Sequence, residues 1–175
     1  MKNIFIGGVA KSGKSTFAKK ICGDNKYNHI PIDYFTASFK RNYPDVGIIS
    51  NVVINSETSN KLSLFLSTVI SIIDTTDEKF ILDSAHVMPK DIVRYLDKDK
   101  WDIYFLGYPN IDKEEKFSII RKYETKDDWT FKRSDIELLD ILDKLILISK
   151  NIEKECLELG INFIDVSNGI EVLHD

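Results

Sequence analysis

The sequence predicts an α/β domain: a parallel sheet of five strands with helices on both faces. Three observations lead there. Five short apolar runs recur along the 175 residues. Stretches of helical periodicity separate them. Each run is followed at once by glycine or aspartate, at Gly7, Asp33, Asp83, Gly107 and Asp165. Strands that alternate with helices need right-handed crossovers, which cover both faces of a parallel sheet.

The elements follow in order. Asn3-Ile4-Phe5-Ile6 reads as a buried strand ending in Gly7-Gly8. Ser15 to Ile21 reads as a helix closing near Gly23-Asp24-Asn25. His29-Ile30-Pro31-Ile32 is a strand suited to an edge, because Pro31 has no ladder donor. Tyr34 to Asn42 is a short helix stopped by Pro44 and Gly47. Asn60 to Ile73 carries Leu62, Leu64, Phe65, Val69, Ile72 and Ile73 as a helical face. Phe80-Ile81-Leu82-Asp83 is the third strand, and Pro89 to Leu96 a helix with proline at its start. Ile103 to Leu106 is the fourth strand. Lys113 to Tyr123 and Phe131 to Leu159 are helical, with a break around Lys126-Asp127-Asp128. Ile161 to Ile164 is the last strand, with Gly160 capping the helix before it. The length and the absence of a linker or repeat make residues 1–175 a single domain.

Parallel sheets of this kind bind ligands at the carboxyl ends of their strands. The segments to watch are therefore Gly8 to Ser15, Asp33, Asp83, the stretch after Gly107, and Asp165 to Gly169. The first of these is the most informative. Gly8-Val9-Ala10-Lys11-Ser12-Gly13-Lys14-Ser15 fits G-x-x-x-x-G-K-[ST] at every fixed position and lies between a strand and a helix. Its glycines let amides turn inward around phosphate oxygens, and the following helix adds a positive N-terminal end. Gly8 through Thr16 are the expected nucleotide-binding residues. Lys14 is placed to bridge β- and γ-phosphates, and the Ser15 hydroxyl to bind Mg²⁺. Asp83 is the natural acid for the metal shell, the other reading being a turn or cap aspartate.

Composition narrows the partners. A net charge of −4 argues against a protein that coats nucleic acid. Cys22 and Cys156 make neither a disulfide scaffold nor a zinc site, which fits a reducing compartment. The apolar stretch near the first residue is only about seven residues long, too short for a secretory signal. No run approaches the ~20 apolar residues of a membrane helix. A cytoplasmic protein without membrane contact is expected. The chain has 20 lysines and four arginines, at 41, 94, 121 and 133. Arginine forks suit phosphate oxygens, so these four are worth placing.

Taken together, GVAKSGKST, IPIDYF, FILDSAHVMP, FLGYP and FIDVS make the whole chain resemble the P-loop kinases of small molecules, the nucleoside and nucleotide kinase-like group. The resemblance implies strand order 2-3-1-4-5, ATP as donor with Mg²⁺, and a mobile helical lid at about residues 108–133. Within that group, kinases of nucleoside monophosphates carry a Gly-Asp stretch with an arginine after the second strand, and a glycine directly after the third-strand acid. This chain has Ile32-Asp33-Tyr34-Phe35 and Asp83-Ser84-Ala85. It looks more like the kinases that phosphorylate a hydroxyl.

Transfer to an alcohol needs a carboxylate that orients the hydroxyl and accepts its proton late. Asp33 is the candidate, with a helix N-cap as its other reading. The resemblance also implies a lid arginine closing over the transferred group, with Arg121 first and Arg133 second; a solvated charged face is the other reading. Lys14, Asp33 and Arg121 are thus the expected catalytic set. Residues 33–48 with the helix from Asn60 are expected to form the acceptor pocket. Tyr34, Phe35, Phe39 and Tyr43 there suit either a nucleobase or a core, and Arg41 an acidic acceptor. His86 is as readily structural as substrate-facing.

The expected activity is transfer of the γ-phosphoryl of Mg-ATP to a hydroxyl of a small molecule by a monomer or homodimer. A regulatory nucleotide-binding module and a nucleoside monophosphate kinase are the alternatives. A GTPase is disfavoured by the lack of N-K-x-D.

Overall fold

The structure is a computed structural model that describes residues 1–23 and 27–169. Its centre is a fully parallel sheet in the order β2-β3-β1-β4-β5. The strands are β1 (Asn3–Gly8), β2 (Tyr27–Pro31), β3 (Lys79–Asp83), β4 (Trp101–Gly107) and β5 (Asn162–Asp165). The helices are α1 (Lys14–Cys22), α2 (Asp33–Asn42), α3 (Ser56–Ile73), α4 (Pro89–Ile92), α5 (Lys113–Tyr123) and α6 (Asp135–Leu159). The expected architecture and strand order are those observed.

β1 is the central strand and is buried over its whole length. It pairs with β3 on one side and β4 on the other. That explains why Ile4 to Gly8 are apolar or small at every position rather than alternating: both faces are covered. β2 lies at one edge, where Pro31 costs no ladder bond. The core around β1 brings together Phe5, Ile6, Leu82, Phe105 and Leu106, with Leu62 and Leu66 of α3 and Leu138 and Leu142 of α6. Among the described residues, no helix is long and apolar enough to cross a membrane.

Several boundaries differ from the expected ones, each for a local reason. α3 begins at Ser56 rather than Asn60, because the Asn55 side chain accepts a hydrogen bond from the Thr58 amide and caps the helix earlier. α6 begins at Asp135 rather than Phe131, because Ser134 and Glu137 form a reciprocal capping box. Its other end is capped by Gly160 in the left-handed conformation, as expected. The Pro89 helix is α-helical only to Ile92, and Val93–Tyr95 tightens into a 3-10 turn. β2 runs from Tyr27 to Pro31, which leaves Ile32 as the turn into α2. Of the expected closure of α1, Asp24 and Asn25 lie outside the described residues.

The glycines that end β1 have a packing reason as well as a chemical one. Gly8 has φ +129°, and a Cβ there would lie 2.0 Å from the Leu106 carbonyl oxygen. That atom is fixed backbone on β4, so nothing can give way without parting the two central strands. Gly160, with φ +60° and open space around it, carries only the backbone strain. Gly8→Ala is therefore expected to destabilise the chain by about 2–4 kcal/mol, and Gly160→Ala by about 1 kcal/mol. Urea unfolding without ligand measures both, and equal losses would contradict the contact argument.

Candidate active site

The loop between β1 and α1 lies at the carboxyl edge of the sheet and is shaped by three residues of positive φ. These are Gly8, Lys11 at φ +58° and Gly13 at φ +85°. Its carbonyls are taken up from several directions. The Val9 carbonyl accepts from Lys14 Nζ at 2.7 Å, that of Ala10 from the Tyr108 hydroxyl at 2.8 Å, and that of Lys11 from Lys116 Nζ at 3.0 Å. Among the described residues, the amides of Ala10, Lys11, Ser12 and Gly13 donate to no protein group. The Ser12 hydroxyl is buried and without a partner. Carbonyls held away and amides left open, on a curved loop at a helix N-terminus, make an anion nest.

Lys14 is the first residue of α1 and only 7% exposed. Burial lowers its pKa to about 8, against the opposing pull of Asp33 and Asp83. An ammonium held this dry has strong reason to pair with phosphate oxygens. Ser15 and Thr16 follow on the exposed side of the helix start.

Asp83 ends β3 and is buried. Burial raises its carboxyl pKa, while a hydrogen bond with His29 Nε2 and the field of Lys14 pull it down. The pairing follows from the register. Pro31 stands opposite Asp83, so His29, two residues earlier, occupies the diagonal position on the same face. Sequence reasoning missed His29, whose signal was a histidine at a period of two from the strand's end. No cluster of three or more His, Cys, Asp or Glu fit to hold a metal exists among the described residues. The donors on hand are the Ser15 hydroxyl and the Asp83 carboxylate. Such a sparse, oxygen-only set suits Mg²⁺, which is held by one or two protein oxygens together with substrate phosphates and water.

Asp33 is the first residue of α2, one position beyond the N-cap Ile32. Its carboxylate accepts from no amide of its helix among the described residues. Instead Oδ1 lies 3.5 Å from His86 Nε2, with the Asp33 side chain half exposed and that of His86 9% exposed. Burial lowers the His86 pKa; Asp33 raises it and Lys14 lowers it further. The His86 amide is fixed by the Ser84 hydroxyl at 3.1 Å. Asp33 and His86 face a cavity of about 250 Å³ that reaches Ala10 of the loop. Ser50 to Val52 form one wall and Trp129 another.

Of residues 33–48, only Asp33 lines this cavity among the described residues. The aromatics of 33–48 do not line this cavity. Phe35 and Phe39 pack on Phe65 of α3, at ring separations of 5.6 and 5.0 Å, and Tyr43 packs on Phe39. They join α2 to α3, and Tyr34 is exposed. Arg41 is exposed near the end of α2 and also lies outside the cavity wall.

Arg121 is likewise not aimed at the loop. Its guanidinium is bonded to Glu124 at 2.9 Å, to Asp135 at 2.7 Å, and to the carbonyls of Thr130 and Arg133. It pins the segment between α5 and α6, because Glu124 one turn on and Thr130, Arg133 and Asp135 beyond the break offer it carboxylates and carbonyls. Arg133 lies 3.6 Å from Glu137 on the surface. The groups of the 108–133 segment that do meet the loop are Tyr108, Lys116 and Asp128, the last paired with Lys11 at 2.6 Å. Sequence reasoning passed over all three, since nothing local marks a lysine or tyrosine whose partner is a carbonyl about 100 residues away.

Lys116 gives a test of this docking. It is buried, lies 4.1 Å from the Tyr108 ring centroid, and has its pKa lowered by burial to about 8. The unfolded chain holds the proton up to about pH 10.5, so the folded form carries a cost below pH 8 that fades as pH rises from about 8 to 10.5. Relative to Lys116→Met, the native chain is expected to gain about 1–3 kcal/mol over that window. Parallel unfolding curves at pH 7 and pH 10 read the difference, and a constant difference would contradict it.

No protein-family model matches the chain, and no curated protein sequence matches it. Solved structures do. A shikimate kinase from Bacteroides thetaiotaomicron aligns over 99% of this chain and 89% of its own, with a TM-score of 0.59 and 13% identity. A sugar kinase from Janibacter sp. HTCC2649 aligns over 94% and 84%, with a TM-score of 0.58 and 15% identity. A shikimate kinase from Acinetobacter baumannii in complex with shikimate aligns over 100% and 86%, at 0.55 and 14%. The chain has the fold of the P-loop small-molecule kinases.

Proposed function

We propose that the chain is an ATP-dependent phosphotransferase that moves the γ-phosphoryl of Mg-ATP to a hydroxyl of a small molecule. One observation carries the reading: a single cleft holds a phosphate cradle and, across a cavity that touches both, a carboxylate that accepts from no helix amide among the described residues. Asp33 would repel ATP, so its place there makes sense toward an incoming hydroxyl. The similar structures, a shikimate kinase and a sugar kinase, are consistent with this.

The chemistry follows from the residues. The amides of Ala10 to Gly13 hold the phosphates, and Lys14 exchanges the Val9 carbonyl for β- and γ-phosphate oxygens. Asp33 hydrogen-bonds the acceptor hydroxyl and aligns its oxygen with the phosphorus. As the new O–P bond forms, the bond from phosphorus to the β–γ bridging oxygen breaks, ADP leaves, and Asp33 takes the proton late. His86 holds the Asp33 carboxylate on the cavity side. The Ser15 hydroxyl and Asp83 would hold Mg²⁺, which supplies charge neutralisation on the phosphates, and His29 fixes the Asp83 carboxylate. Tyr108, Lys116 and the Lys11–Asp128 pair keep the lid segment against the loop through polar contacts, which can part and re-form as nucleotide enters.

Asp33→Asn keeps size and removes the base. Acceptor-dependent ADP release is expected to fall by roughly 10²–10⁴, while calorimetry with a non-hydrolysable ATP analogue shows affinity within a few-fold of the native value. Lys14→Ala is expected to lose both turnover and nucleotide binding. Full acceptor phosphorylation by Asp33→Asn would defeat the reading.

A further inference from the structure

The walls of the cavity beside Asp33 have an uneven chemistry. Asp33 supplies an acceptor of hydrogen bonds, His86 and the Ser50-Asn51 stretch supply further polar groups, and Val52 and Trp129 supply apolar surface. Among the described residues, no lysine or arginine lines it. The nearby cations are engaged elsewhere. Arg94 donates to the Asp91 carbonyl and lies over the Tyr95 ring. Lys11 is paired with Asp128, and Lys116 is bonded to the loop. Lys14 belongs to the phosphate side of the cleft, at the Val9 carbonyl.

We propose that this cavity takes an uncharged polyhydroxylated molecule, of the sugar, polyol or nucleoside class, in preference to one that carries a carboxylate or phosphate. That this molecule is the phosphoryl acceptor rests on the phosphotransferase reading; the charge preference rests on the cavity alone. An anion placed here gives up its hydration with no cation in the lining to replace it and meets the Asp33 carboxylate as a like charge; Lys14, whose field reaches Asp33 and His86, donates to the Val9 carbonyl. A hydroxylated ring finds an acceptor in Asp33, polar partners in His86 and Asn51, and aromatic surface for its C–H face in Trp129. Burial, by lowering the His86 pKa, keeps the imidazole neutral near pH 7, so it adds no positive charge to attract an anion. The volume of about 250 Å³ lies below that of typical sites for drug-sized ligands, which suits a molecule of one or two rings.

The test is calorimetric binding to the full chain in the presence of a non-hydrolysable ATP analogue. The probes are matched pairs that differ in charge: a pentose and its aldonate, a nucleoside and its 5′-monophosphate, a cyclic polyol and a cyclic hydroxy acid. At least one uncharged member is expected to bind about tenfold or more tighter than its anionic partner. Asn51→Arg adds a cation at an exposed position of the wall, where the fold tolerates it, and is expected to narrow or reverse that preference. Tighter binding of an anionic member to the native chain, or binding of no member at all, would overturn the proposal. An uncharged ligand that binds with the expected preference and never accelerates ATP consumption would uphold the cavity's selectivity and defeat the phosphotransferase reading instead. An acidic acceptor phosphorylated in preference to its uncharged partner would do the reverse.

Discussion

An ammonium group that is 7% exposed has to be paid for by its surroundings, and much of this site can be understood as that compensation for Lys14. Its only direct protein partner among the described hydrogen bonds is the Val9 carbonyl. The rest of its support is the longer-range field of Asp33 and Asp83. Those two acids sit at the ends of neighbouring parallel strands, one closing β3 and the other just beyond β2, so the sheet delivers both to the edge where the loop begins. Each is in turn held by a histidine, His29 on Asp83 and His86 on Asp33. The lysine is thus kept both charged and dry, and a lowered local dielectric strengthens an ion contact that water would weaken.

The loop itself depends on contacts from far along the chain. Tyr108 and Lys116 take the carbonyls of Ala10 and Lys11, and without them those carbonyls would compete with the amides for the inside of the curve. The segment after β4 therefore supports the loop from behind while Trp129, farther along the same segment, reaches round to the cavity. A single stretch of chain couples the shape of the phosphate cradle to the wall of the neighbouring cavity. Its direct ties to the loop are two hydrogen bonds and an ion pair.

What the sequence disclosed and what it hid divide along physical lines. The parallel sheet, the loop from Gly8 to Ser15 and the places of the acids at 33 and 83 were legible because they rest on local pattern and on the rule that sites gather at strand ends, whereas the strand order came from the family resemblance. Helix starts at Ser56 and Asp135 were missed by a turn because the capping side chains Asn55 and Ser134 outweighed the hydrophobic period that located the helices. The two histidines were hidden because their partners come from another strand or from beyond one, and no local spacing records that. Arg121 was read as a lid arginine because a guanidinium serves equally well to clasp a phosphoryl group or to staple Glu124 and Asp135, as it does here. The aromatics of α2 stayed open between base and core because packing against Phe65 and stacking on a base ask for the same side chains.

The central claim is that the cradle and Asp33 act on one phosphorus atom. Phosphorus-31 NMR of the chain with Mg-ATP and an uncharged hydroxylated acceptor tests it most directly. The account predicts a new phosphomonoester resonance that grows in step with ADP. ADP appearing with inorganic phosphate alone, at a rate indifferent to every acceptor, would contradict it.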